Sequence, residues 1–279
     1  MIIDFHTHTF PDRIAERAIT GMQANSHAAA FADGTVSGLT VSMAAAGIHY
    51  SVVLPVATNP AKLISMNDSS IAQNGRGGLI CFGAMHPLAD NWKEELDRLA
   101  AAGIRGIKIH PLYQGVDIDD IRYLRILGRA AELGLITVMH AGADIAFPGL
   151  VRCSPEMTRH ALDQLGSVPL VLAHMGGWKN WDRAADCLAG TGVYIDTAFS
   201  LGSIPPLGDG HYAQSDLPLL SESAFCRLVR LFGADRVLFG TDSPWACPKT
   251  EVSAIRGLPL TQEEKDCILY KNACKLLGM

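Results

Sequence analysis

MIIDFHTHTFPD (residues 1–12) decides how the rest of the chain is read. Met1 to Phe5 make a short apolar run of strand type, and Pro11 ends it. Side chains alternate faces along a strand, so His6 and His8 point the same way. Two imidazoles on one face can grip a single metal ion, although the same pair could sit idle on a solvated strand end. The turn after this strand bears on the fold. A doubly wound open sheet usually carries a glycine-rich phosphate turn after its first strand. Here HTHTFPD stands in that place.

Seven further apolar, β-branched runs succeed it: YSVVLPV (50–56), LICFGAM (79–85), IRGIKIH (104–110), LITVMH (135–140), PLVLAH (169–174), VYIDTA (193–198) and RVLFGTD (236–242). Helical patterns separate most of them. NWKEELDRLAAAG spaces Trp92, Leu96 and Leu99 on one stripe, with Asn91 as the expected cap. DDIRYLRILGRAAELG puts Ile121, Leu124 and Ala131 on another and stops at Gly134. SPEMTRHALDQLG enters its helix through Ser154 and Pro155, and Thr261 with Glu264 forms a capping box near the C-terminus. Strands alternating with helices imply parallel pairing through right-handed crossovers. Eight such units of roughly 30 residues predict an α/β fold of the (β/α)8 TIM-barrel type. Residues 1–279 read as a single domain, without a linker or repeat.

Composition narrows the function. Apolar residues make up 48% of the 279, charged ones only 18%, and the formal net charge is −5. With no basic patch to neutralise phosphates, nucleic acid is excluded as a partner. No segment offers about 20 uninterrupted apolar residues for a membrane span. Seven scattered cysteines without a C-x-x-C pair read as reduced thiols, and no basic stretch leads into an apolar one near the N-terminus. The expectation is a cytoplasmic protein acting on a small molecule, with a homodimer as the assembly the fold permits.

In such barrels the chemistry sits at the C-terminal ends of the strands. Six of the ten histidines finish a strand or lie just beyond it: His6, His8, His86, His110, His140 and His174. Asp196 and Asp242 end the last two strands. Three neutral imidazoles and a carboxylate suit a borderline divalent cation, and His6, His8, His140 and Asp242 are assigned as that set. Zn²⁺ is the expected ion, with Mn²⁺ as the alternative.

HTH on the first strand, IKIHP on the fourth, VMHAG on the fifth, LAHMGG on the sixth and FGTDSPW on the eighth resemble the amidohydrolase superfamily. The likeness is closest to its amidohydrolase-related branch, which includes the aminocarboxymuconate semialdehyde decarboxylase-like enzymes. It implies a metal-dependent TIM barrel with ligands His6, His8, His140 and Asp242. Asp242 is then the general base, and His174 faces the substrate or the metal-bound water. Binuclear members of the superfamily place a carbamylated lysine on the fourth strand. By that resemblance Lys108 and His174 are alternative ligands to a second ion, but one ion is favoured over two, because His110 rather than Lys108 sits nearest the strand end.

The activity implied is hydrolysis of an amide, ester or lactone of a small carboxylated molecule through a metal-bound water. The alternative is non-oxidative decarboxylation, and a non-catalytic metal-binding protein is the least favoured. His110, His86 and Arg152 are candidate substrate-binding residues, Arg152 because a guanidinium can fork onto a carboxylate. Tyr113, Gln114 and Trp178 are candidates to line the site, and Asp196 to orient a ligand histidine. The Pro/Gly-rich segment 202–218 reads as a loop over the mouth.

Overall fold

A computed structural model describes all 279 residues. It contains nine short strands: β1 (Ile3–Thr7), β2 (Tyr50–Val53), β3 (Leu79–Cys81), β4 (Gly83–Ala84), β5 (Gly106–Ile109), β6 (Ile136–Met139), β7 (Leu170–Leu172), β8 (Tyr194–Asp196) and β9 (Val237–Leu238). Every pairing is parallel, in the orders β1–β2–β3 and β4–β5–β6–β7–β8–β9. β3 and β4 are the two halves of the predicted third strand, parted at Phe82, whose N–H still donates to the Val53 carbonyl at 3.0 Å. At the other joint the Phe5 N–H donates to Phe239 O (2.7 Å) and the Asp242 N–H to His6 O (2.9 Å). The staves close on themselves, giving the expected (β/α)8 barrel.

The break in the third strand is bridged by a side chain. Ala84 bonds its N–H to Asn67 Oδ1 at 2.7 Å, and Asn67 Nδ2 donates to Ala84 O at 3.1 Å and to Glu95 at 2.7 Å. Asn67, on the helix Leu63–Gln73, is fully buried and takes the place of a neighbouring strand.

Two large apolar clusters fill the fold. The larger lies between strands and helices and includes Ile107, Ile109, Leu172, Ile195 and Phe239. The smaller draws Phe5, Leu54, Phe82, Val138, Val171 and Leu238 from all round the ring. Only the interior of a closed cylinder lets those residues meet. β1 carries one extra residue between Asp4 and Thr7, where its register with β2 slips. That irregularity lets Phe5 join the interior cluster while His6 and His8 also turn inward above it.

The caps follow the sequence in part. Ser154 accepts the Met157 N–H, and the Thr261–Glu264 box forms. Asn91 precedes its helix but makes no side-chain cap. The stripe on the helix Ile121–Glu132 is also corrected: Ile121 is 71% exposed, and Tyr123, Leu124, Ile126, Leu127 and Ala130 form the buried face. The segment 202–218 is strapped to the rest by bonds from Leu207 N–H to His27 O and from Ala29 N–H to Pro205 O, both 2.9 Å. Ile204 and Leu217 pack there on Trp178. No helix is long and apolar enough to cross a membrane.

Candidate metal centre

The backbone is bent where the strands end. His174, Met175 and Asp242 all adopt left-handed conformations, with φ of 61°, 56° and 60°. Non-glycine residues rarely do so, at a cost of about 1–3 kcal/mol each, and such residues concentrate at functional sites. Gly240 makes room for the first histidine, since a Cβ there would lie 2.8 Å from that of His6.

His6 Nε2, His8 Nε2 and Asp242 Oδ1 converge, at 3.2 Å between the nitrogens and 3.4 and 3.1 Å from each nitrogen to the oxygen. The far nitrogens fix the tautomers. His6 Nδ1 donates to Asp196 Oδ2 at 2.8 Å and His8 Nδ1 to the Leu54 carbonyl at 2.7 Å. Each Nε2 therefore presents a lone pair. Burial, and next the Lys108 charge, hold His6 well below the usual imidazole range, so it is neutral. Three electron-pair donors at this spacing repel unless a cation lies among them. The donor set thus fits a divalent ion. Lys108, whose ammonium burial pushes down to about 8, is the protein cation nearest to hand, its Nζ 3.2 Å from His6 Nε2.

His140 stands in a second group. Its Nδ1 is 3.1 Å from His174 Nε2, its own Nε2 meets the Ala143 carbonyl at 3.0 Å, and His174 Nδ1 meets the Ala198 carbonyl at 3.0 Å. Both outer nitrogens face carbonyls and must carry hydrogen, so the inner N···N contact needs one more proton or a cation. The His140 ring also stacks on His110, with centroids 4.1 Å apart and planes 14° from parallel. Asp144 faces both, its Oδ2 3.4 Å from His110 Nε2. Parallel rings cannot aim two lone pairs at one ion, so His110 with Asp144 reads as a polar wall, while His140 keeps its inner Nδ1 on the side of His174. His110 Nδ1 is buried without a partner.

Of the residues singled out in the sequence, His6, His8, Lys108, His110, His140, His174 and Asp242 all line one cavity of about 1210 Å³, with Tyr113 and Trp178. His86 and Arg152 are not in its lining. His86 Nδ1 accepts the Leu88 N–H at 3.1 Å, closing a local turn, and Arg152 pairs with Asp117 at 2.8 Å. Each is thus engaged away from the cavity. Gln114 is committed too, bridging Met85 and Ala57 carbonyls from within the core. Asp196 bonds His6 Nδ1 through Oδ2, and its Oδ1 also accepts the His174 N–H at 2.9 Å. Asp144 and the apolar stripe Ile14, Ala18 and Met22 join the lining without being expected there, although that i, i+4, i+8 spacing on one helix is readable.

Residues 3–279 match the family described as Amidohydrolase. The chain belongs to that family. This amidohydrolase is thus a metal-dependent enzyme, and a divalent cation is the group its clustered donors fit. Among solved structures it is similar to an uncharacterized TIM-barrel protein from Bordetella bronchiseptica (19% identity, TM-score 0.74, covering 99% of this chain and 98% of that one). A dihydroxybenzoic acid decarboxylase from Polaromonas, with bound manganese and the inhibitor 2-nitroresorcinol, matches at 14% identity and a TM-score of 0.70, covering 99% and 96%. A putative 2-pyrone-4,6-dicarboxylic acid hydrolase from Pseudomonas putida matches at 19% and 0.64, covering 99% and 97%. At these identities the likeness speaks for the barrel alone. No curated protein matches the chain.

Proposed function

We propose that this amidohydrolase hydrolyses an amide, ester or lactone bond of a small carboxylated molecule, with one divalent ion, Zn²⁺ or Mn²⁺, held by His6, His8, His140 and Asp242. The observation that carries this reading is the division of labour within Asp242. Its Oδ1 lies with the two N-terminal imidazoles, while its Oδ2 has no partner in the protein and the side chain opens on the cavity. The bound cation supplies Lewis-acid polarisation of a carbonyl and lowers the pKa of water. Asp242 Oδ2 takes a proton from the attacking water as the new C–O bond forms. It returns that proton to the leaving oxygen or nitrogen as the old bond breaks. His174 steadies the negative charge that develops on the carbonyl oxygen. His110, oriented by Asp144, hydrogen-bonds the substrate.

One observation favours a second reading, non-oxidative decarboxylation. His140 Nδ1 and His174 Nε2, 3.1 Å apart, line the same cavity, and a proton held between them suits delivery to a carbon that loses CO₂. Turnover of a panel of lactones, amides and aromatic acids in ¹⁸O-labelled water separates the two. Label in the carboxyl product without CO₂ supports hydrolysis, and CO₂ release without label overturns it.

A further inference from the structure

The cavity does not stop at the histidines. It is one continuous space of about 1210 Å³, above the roughly 300–1,000 Å³ of most small-ligand sites. From the barrel mouth it passes over Pro55 and Thr58 and runs down the outside of β2 and β3 as far as Gln73 and Arg76. It exists because the outer layer is parted there. The helix Val36–Ala46 packs against the helix Pro248–Gly257, and the helix Leu63–Gln73 packs against Trp92–Ala101. Between these two pairs the outward side chains Val53, Leu79 and Cys81, almost wholly buried, underlie the floor of the space. Met66 and Ser69 stand on one wall and Thr40 on the other, and the Ile14–Ala18–Met22 stripe covers the end near the mouth. Away from the histidines and Asp144, the charged lining is Arg13, Lys62 and Arg76 against Asp12 alone.

We propose that this groove is a distal subsite that takes an extended apolar arm, an acyl or alkyl chain, of an anionic substrate whose reacting end lies at the histidines. The proposal rests on the mouth being the reacting centre and names the substrate class for it. Its occupant is argued from continuity: the groove residues and the metal donors line one and the same cavity. The cationic lining matches an anionic molecule. A chain laid on Val53, Leu79 and Met66 is removed from water, which favours each added methylene.

The test is calorimetric binding of linear carboxylates from butanoate to dodecanoate to the metal-loaded protein, with Ser69→Trp and Thr40→Trp as groove-filling variants. Both side chains lie outside the metal centre. Binding by the unmodified protein is expected to tighten about two- to fourfold per methylene beyond hexanoate. Each Trp variant is expected to flatten that dependence while keeping butanoate affinity and metal content. Affinity independent of length, or the same dependence in both variants, overturns the proposal. So does a dimer in sedimentation that the Trp variants convert to monomer, since the groove is then an interface between copies. If the chain-length dependence appears but no ester or amide is turned over, the subsite stands and the hydrolase reading falls.

Discussion

Asp196 and His6, which end strands on either side of the last stave, are joined by a 2.8 Å hydrogen bond between carboxylate and Nδ1. The bond fixes which nitrogen of His6 faces the donor cluster. Asp196→Asn keeps an oxygen for the His174 N–H but loses the charge that favours this tautomer. Metal affinity is expected to fall about 10- to 100-fold with the fold intact, as for other carboxylate–histidine pairs. Competition with a chromogenic chelator measures it, and unchanged affinity contradicts the role.

Asp242→Asn removes both an anionic ligand atom and the free carboxylate oxygen. Turnover is expected to drop by about 10²–10⁴ even where excess metal restores occupancy, because the amide cannot accept the proton. Metal content and kcat measured on the same preparation separate the two losses.

Gly240→Ala tests how closely the first and last strands approach at the centre. The added methyl would sit 2.8 Å from His6 Cβ. Overpacking of this kind costs about 1–3 kcal/mol. The variant is expected to unfold at lower denaturant concentration and to hold its ion less tightly, both through displacement of one ring.

The seam in the third strand has its own test. Asn67→Ala strands the Ala84 N–H and carbonyl, both of which Asn67 now serves. Buried unsatisfied groups cost about 1–3 kcal/mol each, so a loss on the order of 3 kcal/mol is expected in chemical denaturation. A loss below about 0.5 kcal/mol shows that the neighbouring backbone heals the gap itself.

Glu251, on the helix that comes after the last stave, has its carboxyl pushed up to about 8, first by burial and then by the charge of Asp4. A carboxyl that holds its proton more tightly when folded makes stability fall as pH rises from the unfolded value near 4.5 to about 8. Glu251→Gln removes that penalty. Its melting temperature is expected to exceed that of the unmodified protein at about pH 8.5, the gap closing towards pH 4.5. A gap that stays constant with pH rules out the titration.

Much of this architecture is legible because barrels obey a local grammar. The runs ending at His110, His140 and His174 carry β-branched residues up to a polar stop, and each stop lies at the mouth. Parity alone places His6 with His8. The residues that escape a sequence reading are those whose partners are far away along the chain. Asp144 matters only because its loop returns over His110, and nothing local distinguishes it from a solvated aspartate. Arg152 fails as a substrate fork for the converse reason, since Asp117, 35 residues earlier, already claims it. The interrupted third strand depends on Asn67, a residue on an outer helix that no strand pattern includes. Ile121 leaves its expected stripe because an apolar side chain at the start of a helix is free to face water.

The two joints of the cylinder also divide evolutionary risk. His6, His8 and Asp242 are gathered where the first and last staves are stitched by backbone bonds. The other joint, in the third stave and held by Asn67, borders the groove walled by Met66 and Ser69. Drift along that flank can alter which molecules are admitted without disturbing the donors that grip the ion. New specificities are therefore expected to arise there first, through substitutions on the outer helices that wall the groove.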